Sequence, residues 1–241
     1  MLNPICQAIT DIPDLIWSFP MFLLYVVLSA SFSAWIKKEY HWKTGYTRKI
    51  FHFLIFSAAV VIQWIWRLPG VLLFGCIVTC VVLLACIRGS RSSFYQAVAR
   101  PGDKPHSTLF VLVPLFATAL GGLIANLLFR EFAVYGYLVT GWGDAVAEPV
   151  GTRWGRHRYQ VASLFGIRAS RSLEGTAAVL FTGMLACFII GLLTRQDPGL
   201  IVWTMLLCGL AGAATEAVSN HGLDNLTVQI TVSGLAAIIL Q

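Results

Sequence analysis

Apolar residues fall into long runs separated by short polar stretches along almost the whole chain. A helix of about 17–25 mostly apolar residues covers the hydrocarbon thickness of a bilayer. On that basis the pattern predicts helices over roughly 15–36, 50–66, 70–87, 107–128, 131–147, 175–193, 200–219 and 224–240. No internal repeat stands out, and no linker is long enough to separate domains, so residues 1–241 read as a single domain. The fold class expected is all-α: a polytopic integral membrane bundle of about eight transmembrane helices.

Composition agrees. The chain has 241 residues, of which 57% are hydrophobic and 12% charged, and its mean hydropathy is +0.75. Soluble domains carry about 25% charged residues, so this chain has too few charges to cover a water-exposed surface. The first 14 residues contain Asp11 and Asp14 but neither Lys nor Arg. That is not the basic start of a signal peptide, and the first apolar run is expected to stay as a helix.

The cations are placed unevenly. Lys37, Lys38, Lys43, Arg48 and Lys49 follow the first expected helix; Arg88, Arg91, Arg100 and Lys104 follow the third; Arg153, Arg156, Arg158, Arg168 and Arg171 follow the fifth. The other three, Arg67, Arg130 and Arg195, sit one each in the very short alternate turns. Counting crossings puts the three basic loops on one side, which the positive-inside rule makes cytoplasmic, with both termini on the other side. The polar segment Glu216–Asn225 falls on the same side as the basic loops. Asn225-Leu226-Thr227 fits a glycosylation sequon, but this placement predicts that it stays unmodified.

Six cysteines are present. Cys76, Cys80, Cys86, Cys187 and Cys208 lie in apolar runs without a CxxC pair, and Cys6 precedes them. Cys76 and Cys80 share a helix face at a metal-compatible spacing, yet buried small hydrophobes are the expected reading.

Four stretches carry candidate chemistry. In Gly141–Gly155, Asp144 and Glu148 are four apart, so a helix puts both carboxylates on one face. Gly143, Ala147, Gly151 and Gly155 make a small-residue stripe that suits close helix packing or a phosphate. Pro149 is expected to kink or end that helix. Acids beside glycines and followed by Arg153, Arg156 and Arg158 suit a metal–phosphate complex. The bland alternative is a packing stripe whose acids pair with nearby arginines. It explains Asp144 poorly, because a carboxylate in an apolar helix is costly unless partnered or used.

In Arg171–Thr176, Ser172 or Thr176 suits a helix cap, and Glu174 suits a helix N-terminus. Arg171 suits phosphate oxygens. In Thr47–His52, Arg48 and Lys49 fit as snorkelling anchors or as phosphate contacts. His52, one turn into an apolar helix, is a structural or a catalytic histidine. In Glu216–Asn225 a turn explains Asn220, Gly222 and Asp224, but not Glu216, which falls inside the end of a helix.

Together TRKIFHF (Thr47–Phe53), GWGDAVAEPVGTRWG (Gly141–Gly155), RSLEGTAA (Arg171–Ala178) and EAVSNHGLDNLTV (Glu216–Val228) resemble the polyprenol kinase family, which includes dolichol kinase, phytol and farnesol kinases and CTP-dependent diacylglycerol kinase. The resemblance covers most of the chain from residue 47 onward. It implies transfer of the γ-phosphoryl group of a nucleoside triphosphate to the hydroxyl of a membrane isoprenoid alcohol such as phytol, farnesol or a polyprenol. CTP is the implied donor, ATP or another triphosphate the alternative, and Mg²⁺ the implied cofactor. It carries Asp144, Glu174, Asp224 and His52 over as catalytic candidates; the charge pattern itself adds Glu216, and puts Glu148 beside Asp144 on the metal. Gly151, Gly155, Gly175, Thr176, Arg48, Lys49 and Asn225 become candidates for holding the nucleotide, and Arg153 and Arg171 join them as cations able to neutralise a triphosphate. Arg171 stands where the family often has Lys, and Glu148-Pro149 replaces small or Asp-containing residues.

The partners implied are the lipid alcohol, the triphosphate and the bilayer, with no nucleic acid, and the active site faces the cytoplasm. Competing readings are a diacylglycerol kinase or a cytidylyltransferase; the latter's Pro-Gly-His-Gly-Gly signature is missing. From other classes come a transporter, which needs more polar residues in mid-membrane than Gln63, Asn126 and a few Ser/Thr, and a non-enzymatic scaffold, which leaves Asp144, Glu174 and Glu216 unexplained.

Overall fold

The computed structural model describes residues 8–163 and 169–241; Cys6 and Arg168 lie outside them. Each apolar run is a helix. In order they are α1 (Phe19–Glu39), α2 (Thr44–Arg88), α3 (Ser93–Val98), α4 (Leu109–Phe129), α5 (Ala133–Trp154), α6 (Leu173–Leu193), α7 (Pro198–Val218) and α8 (Asp224–Leu240). Five helical stretches among the described residues are long and apolar enough to cross a membrane: Leu15–Glu39, Thr44–Arg91, Leu109–Trp154, Leu173–Leu193 and Pro198–Val218. The chain is therefore a multi-pass helical membrane protein.

Helix ends follow local chemistry. Arg67, Arg130 and Arg195, the cations of the short alternate turns, all adopt left-handed backbone, with φ of 54°, 49° and 55°. Each marks a break between apolar segments. At Arg67, just before Pro69, the backbone leaves helical geometry, so α2 is two helices joined at a kink, broken where the helices expected at 50–66 and 70–87 meet. The first of the two begins six residues early, at Thr44, and Arg48 and Lys49 belong to its first turns rather than to a loop. Ser172 caps α6 by accepting from Gly175 N–H at 3.1 Å. Asp197 caps α7 through Gly199 N–H at 2.8 Å, with Pro198 at the first helical position.

Pro149 does not end its helix. α5 runs through it to Trp154, because the small-residue stripe keeps this stretch packed against α6. The loop that follows is a hairpin, which the sequence reading did not expect. β1 (Arg158–Val161) pairs antiparallel with β2 (Ala169–Ser172), Arg158 facing Ser172.

The chain forms two compact units, 1–115 and 116–241. In the first, α1 packs on α2, and α3 packs on both. Phe22 lies edge-on to Trp66 and Phe74, with centroids 5.3 and 5.6 Å apart. Thr47 donates its hydroxyl to Ala97 O at 2.6 Å. In the second unit α5 packs on α6, α6 on α7, α7 on α8, and α8 returns to α5. This closed ring brings the C-terminal parts of α5 and α7 beside the N-terminal parts of α6 and α8.

The cysteines correct one expectation. Cys187 and Cys208 are buried, but Cys76 and Cys80 are exposed. An apolar residue on a membrane helix has no need to point inward, so hydrophobicity does not fix burial here.

Candidate active site

The ring of α5–α8 holds a recess lined by Val139, Thr140 and Asp144 of α5, Val179 of α6, Glu216 of α7, and Asp224, Asn225 and Val228 of α8. Its polar groups come from positions far apart in sequence. Asp144 stands three turns into α5, just past the mostly buried stretch Ala133–Gly143, and is itself half-buried. Glu216 is buried at the end of α7. Asp224 opens α8 and accepts at Oδ1 from the Asn225 N–H at 3.0 Å.

Arg171 ties these elements together from β2. Its Nε donates to Glu216 Oε1 at 3.1 Å, and its Nη2 to Asp224 Oδ2 at 2.9 Å; about a tenth of each of these side chains is exposed. A planar guanidinium can serve two carboxylates at fixed angles, which an ammonium cannot. The hairpin that carries Arg171 is pinned to the same corner. His221 N–H donates to Ala162 O at 2.9 Å, and Ser163 bridges His221. The recess thus gathers three acidic side chains, Asp144, Glu216 and Asp224, the last two held by Arg171.

Asn225 is anchored from behind. Its side-chain amide donates to Thr118 Oγ1 at 2.8 Å, and its carbonyl accepts from Gln229 Nε2 at 2.5 Å. This amide nitrogen, which a glycan would need, is thereby engaged in the interior.

The remaining candidates lie elsewhere. Glu174, one residue into α6, does not line the recess. Its carboxylate accepts from the His157 N–H at 3.3 Å and meets His157 Nδ1 at 2.9 Å, which fastens the start of the hairpin. Thr176 Oγ1 bonds Tyr159 Oη at 2.8 Å. Gly151 and Gly175 are contact points between α5 and α6: a Cβ on Gly175 would sit 3.0 Å from Ala147 O and 3.7 Å from the Gly151 Cα. Gly155 ends α5 against Ser172. These glycines have packing roles before any phosphate is considered. Arg153 is exposed and lies over the Trp154 ring at 5.0 Å. Glu148 is half-buried on α5. Arg48, Lys49 and His52 belong to the first unit. There Lys49 is buried, and the His52 ring lies 4.5 Å from that of Phe56.

Two curated relatives accompany this geometry. The chain is 34% identical over 191 residues to the phytol kinase of Synechocystis, covering 76% of this chain and 75% of that protein. It is 28% identical over 120 residues to CTP-dependent diacylglycerol kinase 1 of Schizosaccharomyces pombe, covering 46% of this chain and 52% of that protein. The chain belongs to the polyprenol kinase family. It is thus a member of a family of membrane lipid kinases. No protein-family model matches it, and no solved structure does.

Within this family member, sequence reasoning found the three acids of the recess but missed three groups. His157 looked like one more loop residue, Thr118 sits in an apolar run, and Thr140 precedes the acidic motif without any charge to draw attention. Only the hydrogen-bond pattern brings them forward.

Proposed function

We propose that this protein is a CTP-dependent lipid kinase that phosphorylates the hydroxyl of a membrane isoprenoid alcohol. The observation that carries the reading is the recess of Asp144, Glu216 and Asp224, bound into one corner by Arg171. The acceptor class is taken from the phytol kinase relative and the donor from the CTP-dependent one.

Mg²⁺ fits this donor set. Among the described residues, no three His, Cys, Asp or Glu side chains close tightly enough to hold an ion alone. Mg²⁺ does not ask for that, since it is commonly held by one or two carboxylates with water and substrate phosphates completing the shell. The carboxylates of Asp144, Glu216 and Asp224 are the oxygen donors that Mg²⁺ prefers. Asp144 with Asp224 would hold it, with Glu148 as the further candidate, and when bound it supplies charge neutralisation for the phosphates.

Phosphoryl transfer asks the protein for positioning and electrostatics more than for covalent chemistry. The alcohol oxygen forms a bond to the γ-phosphorus, the bond from that phosphorus to the bridging oxygen breaks, and CDP leaves. The alcohol proton passes to a carboxylate of the recess, Asp224 or Glu216. Arg171 orients both acids, and its Nη1, which no described residue engages, is left to meet a phosphate oxygen. Arg153, Gly151, Gly155, Gly175, Thr176 and Asn225 shape the nucleotide side, and Glu174 with His157 holds the hairpin over it. Arg48, Lys49 and His52 enter the reading through their motif alone.

The kinked stretch Thr44–Arg91 and the long stretch Leu109–Trp154 are each long enough for two crossings. With α8 the reading has eight crossings, and the placement of the basic loops supports termini outside and a recess on the cytoplasmic side, where CTP is. A second reading, phosphorylation of diacylglycerol, is favoured by the fission-yeast relative.

The test uses purified protein in detergent with Mg²⁺, four γ-labelled nucleoside triphosphates, and a panel of phytol, farnesol, dolichol and diacylglycerol. Label moving from CTP to an isoprenoid alcohol supports the reading. Label in diacylglycerol alone selects the second. No label in any lipid from folded protein overturns both.

A further inference from the structure

We infer that the Thr140 hydroxyl binds the oxygen of the acceptor alcohol, making Thr140 a determinant of acceptor recognition. This rests on the kinase reading above and goes beyond the motif, which begins at the following residue.

Thr140 lies one helical turn before Asp144 on the same face of α5. It is only 3% exposed. Its Oγ1 is buried and has no hydrogen-bond partner among the described residues. That is unusual for a helical threonine, which normally returns its hydroxyl to a carbonyl three or four residues back. Others in this protein do so: Thr79 bonds Gly75 O at 2.8 Å, Thr182 bonds Ala178 O at 2.6 Å, and Thr194 bonds Ile190 O at 2.8 Å. A buried hydroxyl left unpaired costs free energy, so a ligand that completes it gains correspondingly.

The surroundings define the ligand. The recess is acidic where Asp144, Glu216 and Asp224 line it, and apolar at Val139, Val179 and Val228. Thr140 adds a neutral hydroxyl to this boundary. A molecule with a hydroxyl at the end of a hydrocarbon chain matches both parts: the chain against the valines, the oxygen against Thr140, the O–H proton toward a carboxylate. The alcohol oxygen keeps a second lone pair for attack on phosphorus. Thr204 is a control. It too is buried with an unpartnered Oγ1, but it does not line this recess.

Kinetics of Thr140→Val, Thr140→Ser and Thr204→Val, each checked for folding by thermal unfolding in detergent, test the inference. Thr140→Val keeps the shape and removes the hydroxyl. It should raise the acceptor KM roughly tenfold, the scale of one lost neutral hydrogen bond, with the CTP KM and kcat within about twofold, as loss of uniform acceptor binding requires. Thr140→Ser should stay near wild type, and so should Thr204→Val. If Thr140→Val does not fold, Thr140→Cys, which puts a weak thiol in place of the hydroxyl, takes its place with the same expectation. An unchanged acceptor KM, equal losses in the Val and Ser variants, or a rise confined to the CTP KM overturns the inference while leaving the kinase reading standing. A wild-type protein that phosphorylates no lipid overturns the kinase reading itself, and this inference with it.

Discussion

Arg171 and Asp224 are 53 positions apart in sequence and 2.9 Å apart in space. The same guanidinium reaches Glu216, so one side chain on a strand fixes the end of α7 to the start of α8. Breaking a buried ion pair by removing one partner costs about 3–5 kcal/mol, because the other charge stays behind. Arg171→Ala should therefore lower the thermal midpoint in detergent by several degrees and raise the KM for nucleotide. Arg171→Lys, restoring charge but not the fork, should recover part of the midpoint and little of the activity. Unfolding curves and CTP titrations of both variants check this; an unchanged midpoint in Arg171→Ala contradicts a structural share for the pair.

Asp144 lines the recess from α5 without contributing to the Arg171 pairs. Its replacement by Asn keeps size and polarity and removes the charge. Asp144→Asn should reduce kcat by at least about a hundredfold, the scale on which single electrostatic groups act in catalysis, with little change in thermal midpoint. Near-normal turnover would remove Asp144 from the metal and phosphate chemistry.

Chelation offers an independent check on the same corner. Excess EDTA should abolish transfer, and excess Mg²⁺ should restore it, while the circular-dichroism spectrum stays constant throughout. An activity indifferent to EDTA would leave the acidic recess without its proposed cation.

Gly175 sits where α5 and α6 meet, its α-carbon side 3.0 Å from Ala147 O once a Cβ is added. A bulky branched side chain there forces the helices apart, and overpacking of this kind costs roughly 1–3 kcal/mol. Gly175→Val should lower the midpoint and the activity together, whereas Gly175→Ala should keep most of both. Full activity in Gly175→Val would mean that the contact is not needed.

The helices were legible because a bilayer demands long apolar runs, and the basic loops announced where they end. The acids were legible because a carboxylate at the edge of an apolar run has few bland explanations. Partnerships were not. Nothing in Arg171 says that it serves Glu216 and Asp224 together, and nothing in Glu174 points to His157 rather than to the recess. The hairpin escaped because four-residue strands such as Arg158–Val161 leave too short an alternation to read. Pro149 misled as to where the helix ends, because the rule for proline concerns an isolated helix, while here α5 packs closely on α6 at Ala147, Gly151 and Gly175.

The composition of α8 has a consequence for how the protein is made. Its inner face carries Asn225, Gln229 and Ser233, all buried, and at 17 residues it is the short member of the ring. Such a segment is a poor candidate for entering lipid by itself. It settles into the bilayer only when α4, α5 and α7 already present their polar atoms and glycines to receive it. The acidic corner is then completed at the last step of assembly. A chain that stops short of residue 224 leaves Arg171 with one of its two acids, Glu216, and the recess without its α8 wall.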